Sequence, residues 1–84
     1  MAKVRLDLVK TYLSLSEPAR ALEEVETVLA DNQGFADAIY LKGEALASMG
    51  MEEEALKYFR EALEVNPSFT EAQKALERML SEGD

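Results

Sequence analysis

The chain has 84 residues, with 48% hydrophobic and 31% charged, and its nine basic and seventeen acidic side chains give a formal net charge of −8. It contains no histidine, cysteine or tryptophan, which removes the commonest general base, all thiol chemistry and the commonest metal ligands, and so argues against an enzyme, a resident metal or a cofactor. The negative field repels phosphate backbones and anionic lipid heads, so neither nucleic acid nor membrane is an expected partner.

A domain of this size buries only ~60% of the surface its unfolded chain exposes, so efficient packing, association or membership of a larger array must supply its stability. The N-terminal segment MAKVRLDLVK lacks the apolar core of a secretion signal, and no run approaches the ~18 apolar residues of a membrane span. The chain reads as soluble and cytoplasmic.

Apolar residues recur at spacings of three and four, the period of amphipathic helices, and no stretch alternates with period two. A first helix is predicted from Val4 to Leu15, with Val4, Leu8, Thr11, Tyr12 and Leu15 on one face. Ser16 is placed as the cap of a second helix, Pro18 in its first turn where a missing N–H costs nothing, and Ala21, Leu22, Val25, Val28 and Leu29 on its apolar side. Residues 31–34 form a turn by composition. A third helix is predicted from Ala36 to Met49, stopping at Gly50, which tolerates the left-handed conformation that ends many helices. The fourth runs from Glu52 to Val65 with Ala55, Leu56, Tyr58, Phe59, Ala62 and Leu63 inside, and Asn66-Pro67 breaks it. Successive Glu52, Glu53 and Glu54 point about 100° apart around a helix, so they suit the positive end of the helix dipole better than a cation site. Ser68 with Glu71 reads as a capping box for a fifth helix carrying Ala72, Ala75, Leu76, Met79 and Leu80, after which residues 81–84 are expected to fray. Met49, Met51 and Met79 are read as gap-fillers, and Tyr12, Tyr40 and Tyr58 as core or groove packing.

Set against itself at an offset of 34, the sequence pairs Ala2 with Ala36, Ser14 with Ser48, Ala21 with Ala55 and Leu22 with Leu56. Leu29 pairs with Leu63, Asn32 with Asn66 and Phe35 with Phe69. These identities match helix with helix and turn with turn, and two helices in 34 residues is the length of the tetratricopeptide repeat. Residues 36–69, with Gly43, Ala45, Leu46, Gly50, Ala55, Phe59, Ala62 and Pro67, resemble that repeat. Gly43 and Ala55 would let the two helices of a hairpin approach, Ala62 would make room for the next helix, and Phe59 and Leu46 would fill the layers between. Residues 2–35 resemble a weaker copy, with Leu8, Tyr12, Ala21 and Leu29 in register but Val9, Val28 and Gln33 at the places of Gly43, Ala62 and Pro67. Residues 70–82 resemble a capping helix whose outer face, Gln73, Lys74, Glu77, Arg78 and Ser81, is polar.

The resemblance implies a single all-α domain, a right-handed superhelical stack of two hairpins and a cap. It also implies a non-catalytic module that binds a peptide or protein in the groove lined by the first helices of its repeats. The groove positions carried over are Lys3, Leu6, Lys10 and Leu13, then Asp37, Tyr40 and Glu44, then Glu71, Lys74 and Arg78. One subclass of the family grips the acidic tail of heat-shock chaperones with lysine, asparagine and arginine. Its positions here are Leu6, Lys10, Leu41, Glu71 and Ala75, of which only Lys10 is basic, so the clamp is absent. A partner with an apolar anchor beside Tyr40 and a basic segment near Asp37, Glu44 and Glu71 fits better. The alternative reading is structural: nothing precedes the first helix, and an open face including Val4, Leu8 and Leu15 would join a second copy or the missing repeats of a longer array.

The register carries its own test. Ala55→Leu overpacks the hairpin and costs roughly 1–3 kcal/mol in chemical denaturation, whereas Glu53→Gln changes stability by less than about 0.5 kcal/mol. A leucine variant as stable as the parent would show that Ala55 is not at a close helix contact.

Overall fold

The turns repeat as faithfully as the helices they join. The computed structural model describes residues 2–82, with side-chain surroundings for residues 5–81. It comprises α1 (Ala2–Ser14), α2 (Pro18–Asp31), α3 (Ala36–Ser48), α4 (Glu52–Val65) and α5 (Thr70–Glu82), with no strand among the described residues. The helical reading of residues 81–82 replaces the frayed end expected there, while Gly83 and Asp84 lie outside the described residues.

α1 and α3 close in the same way. After α1, Ser16 takes a left-handed backbone (φ 60°), its N–H donating to the Leu13 carbonyl at 3.1 Å and the Glu17 N–H to the Tyr12 carbonyl at 2.8 Å. After α3, Gly50 does so (φ 81°), its N–H reaching the Ala47 carbonyl at 3.1 Å and the Met51 N–H the Leu46 carbonyl at 2.9 Å. This is the crossed pair of bonds of a Schellman closure. Ser16 therefore terminates α1 rather than capping α2, whose N-cap is Glu17 without a side-chain bond, and Pro18 opens the first turn. Serine at φ 60° carries a steric cost that Gly50 avoids.

The connections between hairpins also match. The Asn32 and Asn66 amides donate to the Val28 and Ala62 carbonyls at 3.0 and 2.9 Å, and the Phe35 and Phe69 carbonyls accept the first bonds of α3 and α5, from Ile39 and Gln73, at 3.0 and 3.1 Å. The expected capping box at Ser68 does not form. Its N–H and hydroxyl both donate to Asn66 Oδ1, at 3.3 and 3.0 Å, and the first turn of α5 is held instead by Gln73 Nε2 donating to the Pro67 carbonyl at 2.7 Å. A short asparagine acceptor two residues back competes successfully for serine's donors.

α1 packs on α2 and α3 on α4 as antiparallel hairpins, α2 joins the hairpins through α3, and α5 covers α4. The buried stripe of α1 is Leu6 and Val9, with Tyr12 and Leu13 packed against their cluster, not the stripe through Leu8, Thr11 and Leu15 that the sequence pattern suggested. Leu8 and Leu15 are exposed, the latter at 62%, because the side of α1 they occupy has no helix beside it. Val4, expected on that side, lies outside the residues with described side chains. Met49 and Met51 are also exposed rather than gap-filling, at the turn between α3 and α4, while Met79 packs against the Leu46 cluster. Leu80 stands exposed on α5.

α3 is shared between two cores. Ala38, Leu41 and Ala45 join Leu6, Val9, Ala21, Val25 and Val28. Leu46 joins Ala55, Phe59 and Ala75, and Ile39 joins Ala62 and Ala72. At Gly43 α4 leaves α3 no room for a side chain: a Cβ there would stand 2.7 Å from Phe59 Cε1 and 2.8 Å from Cδ1, and the ring is fully buried. In the first hairpin the same two positions, 34 residues earlier, hold Val9 and Val25, both fully buried in one cluster. A glycine–phenylalanine pair and a valine–valine pair fill comparable space, which explains how the weaker copy keeps its hairpin without the glycine. The outer face of α5, Gln73, Lys74, Glu77, Arg78 and Ser81, is exposed as a cap requires.

This exchange predicts a double-mutant cycle. Gly43→Val alone loses about 2 kcal/mol or more, overpacking outweighing the smaller gain in helix propensity, and Phe59→Val alone loses roughly 3 kcal/mol to a cavity. Combined, they cost at least about 1 kcal/mol less than their sum in urea denaturation. Strict additivity would refute the compensation.

Candidate functional site

The three helices α1, α3 and α5 each send residues to one open cleft of about 100 Å³, lined by Lys10, Asp37, Tyr40, Leu41, Phe69 and Glu71. Its apolar floor is Tyr40, Leu41 and Phe69, and its rim is charged, with Lys10 from α1, Asp37 in the first turn of α3 and Glu71 in the first turn of α5. The floor grows directly out of the core. The Tyr40 ring lies 5.7 Å from the ring of buried Phe59 and 5.2 Å from that of Phe69, tilted by 40° and 48°, within the range of favourable edge-and-face contacts.

Four of the ten groove residues expected from sequence therefore meet at the cleft: Lys10, Asp37, Tyr40 and Glu71. Glu44 and Arg78 form an ion pair between α3 and α5 at 3.9 Å, and both act on the Tyr40 hydroxyl. Leu6 is buried in the core, and Leu13, half-buried, packs against the same cluster without lining the cleft; the turned face of α1 accounts for both. Lys74 is exposed on α5 but does not line the cleft, and Lys3 lies outside the residues with described side chains. Phe69 was not expected. Its recurrence with Phe35 was visible, yet neither was assigned to a helix face or to the groove, and only the fold shows that the ring at the entry to α5 reaches the Tyr40 ring.

Burial pushes the Tyr40 hydroxyl up from 10.0 to about 12, helped by the charge and hydrogen-bond acceptance of Glu44 and by the charge of Glu71, against a smaller opposing effect of Arg78. The field in this part of the groove is thus negative despite the nearby guanidinium.

Two other clusters have structural explanations. Lys42 Nζ sits 4.4 Å from the centre of the Tyr58 ring and 3.6 Å from Glu26 Oε2, tying α3 to both α4 and α2. Glu52, Glu53 and Glu54 occupy the first turn of α4, fully on the surface, where the dipole favours them. Among the described residues no group of three or more acidic side chains is disposed to hold a metal, and no helix is long and apolar enough to cross a membrane.

Residues 36–69 match the family model for the tetratricopeptide repeat. The chain belongs to the tetratricopeptide repeat family, and its all-α solenoid is the fold of that family. Over 98% of its length it superimposes on a solved structure of the first TPR of Spaghetti (RPAP3) bound to the HSP90 peptide SRMEEVD, with a TM-score of 0.89 and 23% sequence identity, covering 65% of that chain. It is similar to the DnaJ homolog subfamily C member 3 homolog of Dictyostelium discoideum, 30% identical over 70 residues and 83% of this chain. It is also similar to outer dynein arm-docking complex subunit 4 of Xenopus laevis, 37% identical over 60 residues and 71% of this chain. The chain spans 14% and 11% of the lengths of these two relatives.

The Tyr40 environment has a consequence for stability. Because the phenol's folded value lies above its unfolded one, its contribution is complete below about pH 10 and is lost as pH rises towards 12. Replacing Tyr40 by phenylalanine removes that loss, so chemical denaturation at pH 8 and pH 11 should show a smaller decline for Tyr40→Phe than for the parent. Equal declines would show that the hydroxyl is not held in the buried, carboxylate-flanked setting that raises it.

Proposed function

We propose that this chain is a non-catalytic protein-interaction module that holds a peptide or protein segment in the groove of α1, α3 and α5. In this reading residues 2–35 and 36–69 are its two repeats and residues 70–82 the helix that closes the stack. The observation that carries it is the cleft itself: three helices of equivalent position contribute to one surface with an apolar aromatic floor and a charged rim, the composition of a recognition site rather than of a solvated face. The peptide held by the similar Spaghetti structure supports the same use of this fold. The occupant differs. At the positions that a chaperone-tail clamp would use, Leu6, Leu41 and Ala75 are buried, Glu71 is acidic and only Lys10 is basic, so an acidic C-terminal tail finds one counter-charge where it needs several.

The second reading, self-association through α1, draws on the exposed Leu8 and Leu15. Against it, the positions of α1 equivalent to Leu41 and Ala45, which α3 buries against the first hairpin, hold the exposed polar residues Asp7 and Thr11. A stacking face would not place a carboxylate at its centre.

Panning a random twelve-residue display library against the full chain, then mapping a selected peptide by amide chemical-shift changes, tests the groove. Shifts are expected to cluster at Lys10, Asp37, Tyr40 and Glu71, and Tyr40→Ala should weaken binding at least about tenfold. Shifts confined to α2 and α4, or to the Leu8 and Leu15 side of α1, would contradict it. A molar mass that rises towards a dimer with concentration would favour the second reading.

A further inference from the structure

We propose that the cleft beside the Tyr40 and Phe69 rings is a cation pocket, which seats an arginine or lysine side chain of the bound segment between those rings and the carboxylates of Asp37 and Glu71. The proposal rests on the groove reading above and adds to it the chemistry of the occupant.

Four observations point the same way. The two rings stand 5.2 Å apart and tilted by 48°, forming an aromatic wall to the cleft, and a cation within ~6 Å of a ring centre gains attraction from its π face. The chain already uses that contact elsewhere, with the Lys42 ammonium 4.4 Å from the Tyr58 ring. Asp37 and Glu71 flank the wall from the first turns of α3 and α5, one on each of two successive helices and 34 residues apart. Of the basic groups nearby, Arg78 is engaged with Glu44 at 3.9 Å, which leaves Lys10 as the cation among the lining residues and the lining itself with one more negative charge than positive.

The alternatives fit this geometry worse. An aliphatic anchor would cover the rings but would strip water from two carboxylates without replacing it, and an acidic anchor would face them directly. An arginine satisfies both parts of the cleft: its plane stacks on the rings and its forked donors meet the carboxylates. Lys10, on the α1 side, sets a direction. It repels the cation towards Asp37 and Glu71 and leaves a place for an acceptor, such as a carboxylate or backbone carbonyl, on its own side. The net charge of −8 over the whole chain draws a basic segment towards it from a distance.

Peptides selected from the random library provide the test. Those that shift the cleft amides are expected to share an arginine or lysine at one position. Changing that residue to norleucine should weaken binding at least about tenfold, and affinity should fall as salt is raised. The exposed pair Asp37→Asn and Glu71→Gln should remove the same factor, while Glu53→Gln, at the far turn, leaves affinity unchanged; circular dichroism checks that each variant is folded. Asp37→Lys with Glu71→Lys should reverse the preference towards acidic peptides. Cleft-binding peptides that tolerate norleucine, or that carry aspartate or glutamate at the shared position, would overturn the cation pocket and leave the groove reading intact. Peptides that bind elsewhere, or a library that yields none, would overturn both.

Discussion

The groove depends on how closely α3 and α4 approach at Gly43. With no side chain there, the Phe59 ring fills the space against α3, and its position in turn supports Tyr40, whose ring leans 5.7 Å away. Tyr40 carries the same packing outward to Phe69. The proposed recognition surface is thus the outer end of an aromatic chain whose inner end is the core. A floor packed against the core in this way would lower the ordering cost of the proposed binding.

The first hairpin solves the same problem with different residues. Valines at positions 9 and 25 replace glycine and phenylalanine, and serine at position 16 accepts the left-handed turn that glycine takes at position 50. What the two halves share is less a set of residues than a set of volumes and backbone bonds. Both phenylalanines, Phe35 and Phe69, start the helix that follows, and both asparagines end the one before. Low identity between the halves is compatible with one architecture because packing constrains sums of side chains, not single positions.

Much of this was legible in the chain. Helix positions, the 34-residue period and the turn at Gly50 follow from apolar spacing and backbone freedom, and the polar outer face of α5 follows from its charges. The face of α1 was not. At 100° per residue Leu8 and Leu15 form one apolar stripe and Leu6, Val9 and Leu13 another, so periodicity alone does not say which leucines turn inward; contact with α2 and α3 decides it. That single ambiguity moved Leu6 from the expected groove into the core and turned Leu13 against it. Ser68 was misread for a related reason, since the rule for a capping box is blind to Asn66 as a competing acceptor. Phe69 escaped notice because a residue in a turn shows no helical period, and its role exists only once α5 lies beside α3.

The most direct measurement is a set of ring-to-ring nuclear Overhauser effects in solution. Tyr40 should show contacts to both Phe59 and Phe69, and Phe59 to the α-protons of Gly43. A Tyr40 ring in contact with neither phenylalanine would mean that the groove floor is not an extension of the core, and the proposed recognition surface would lose its foundation.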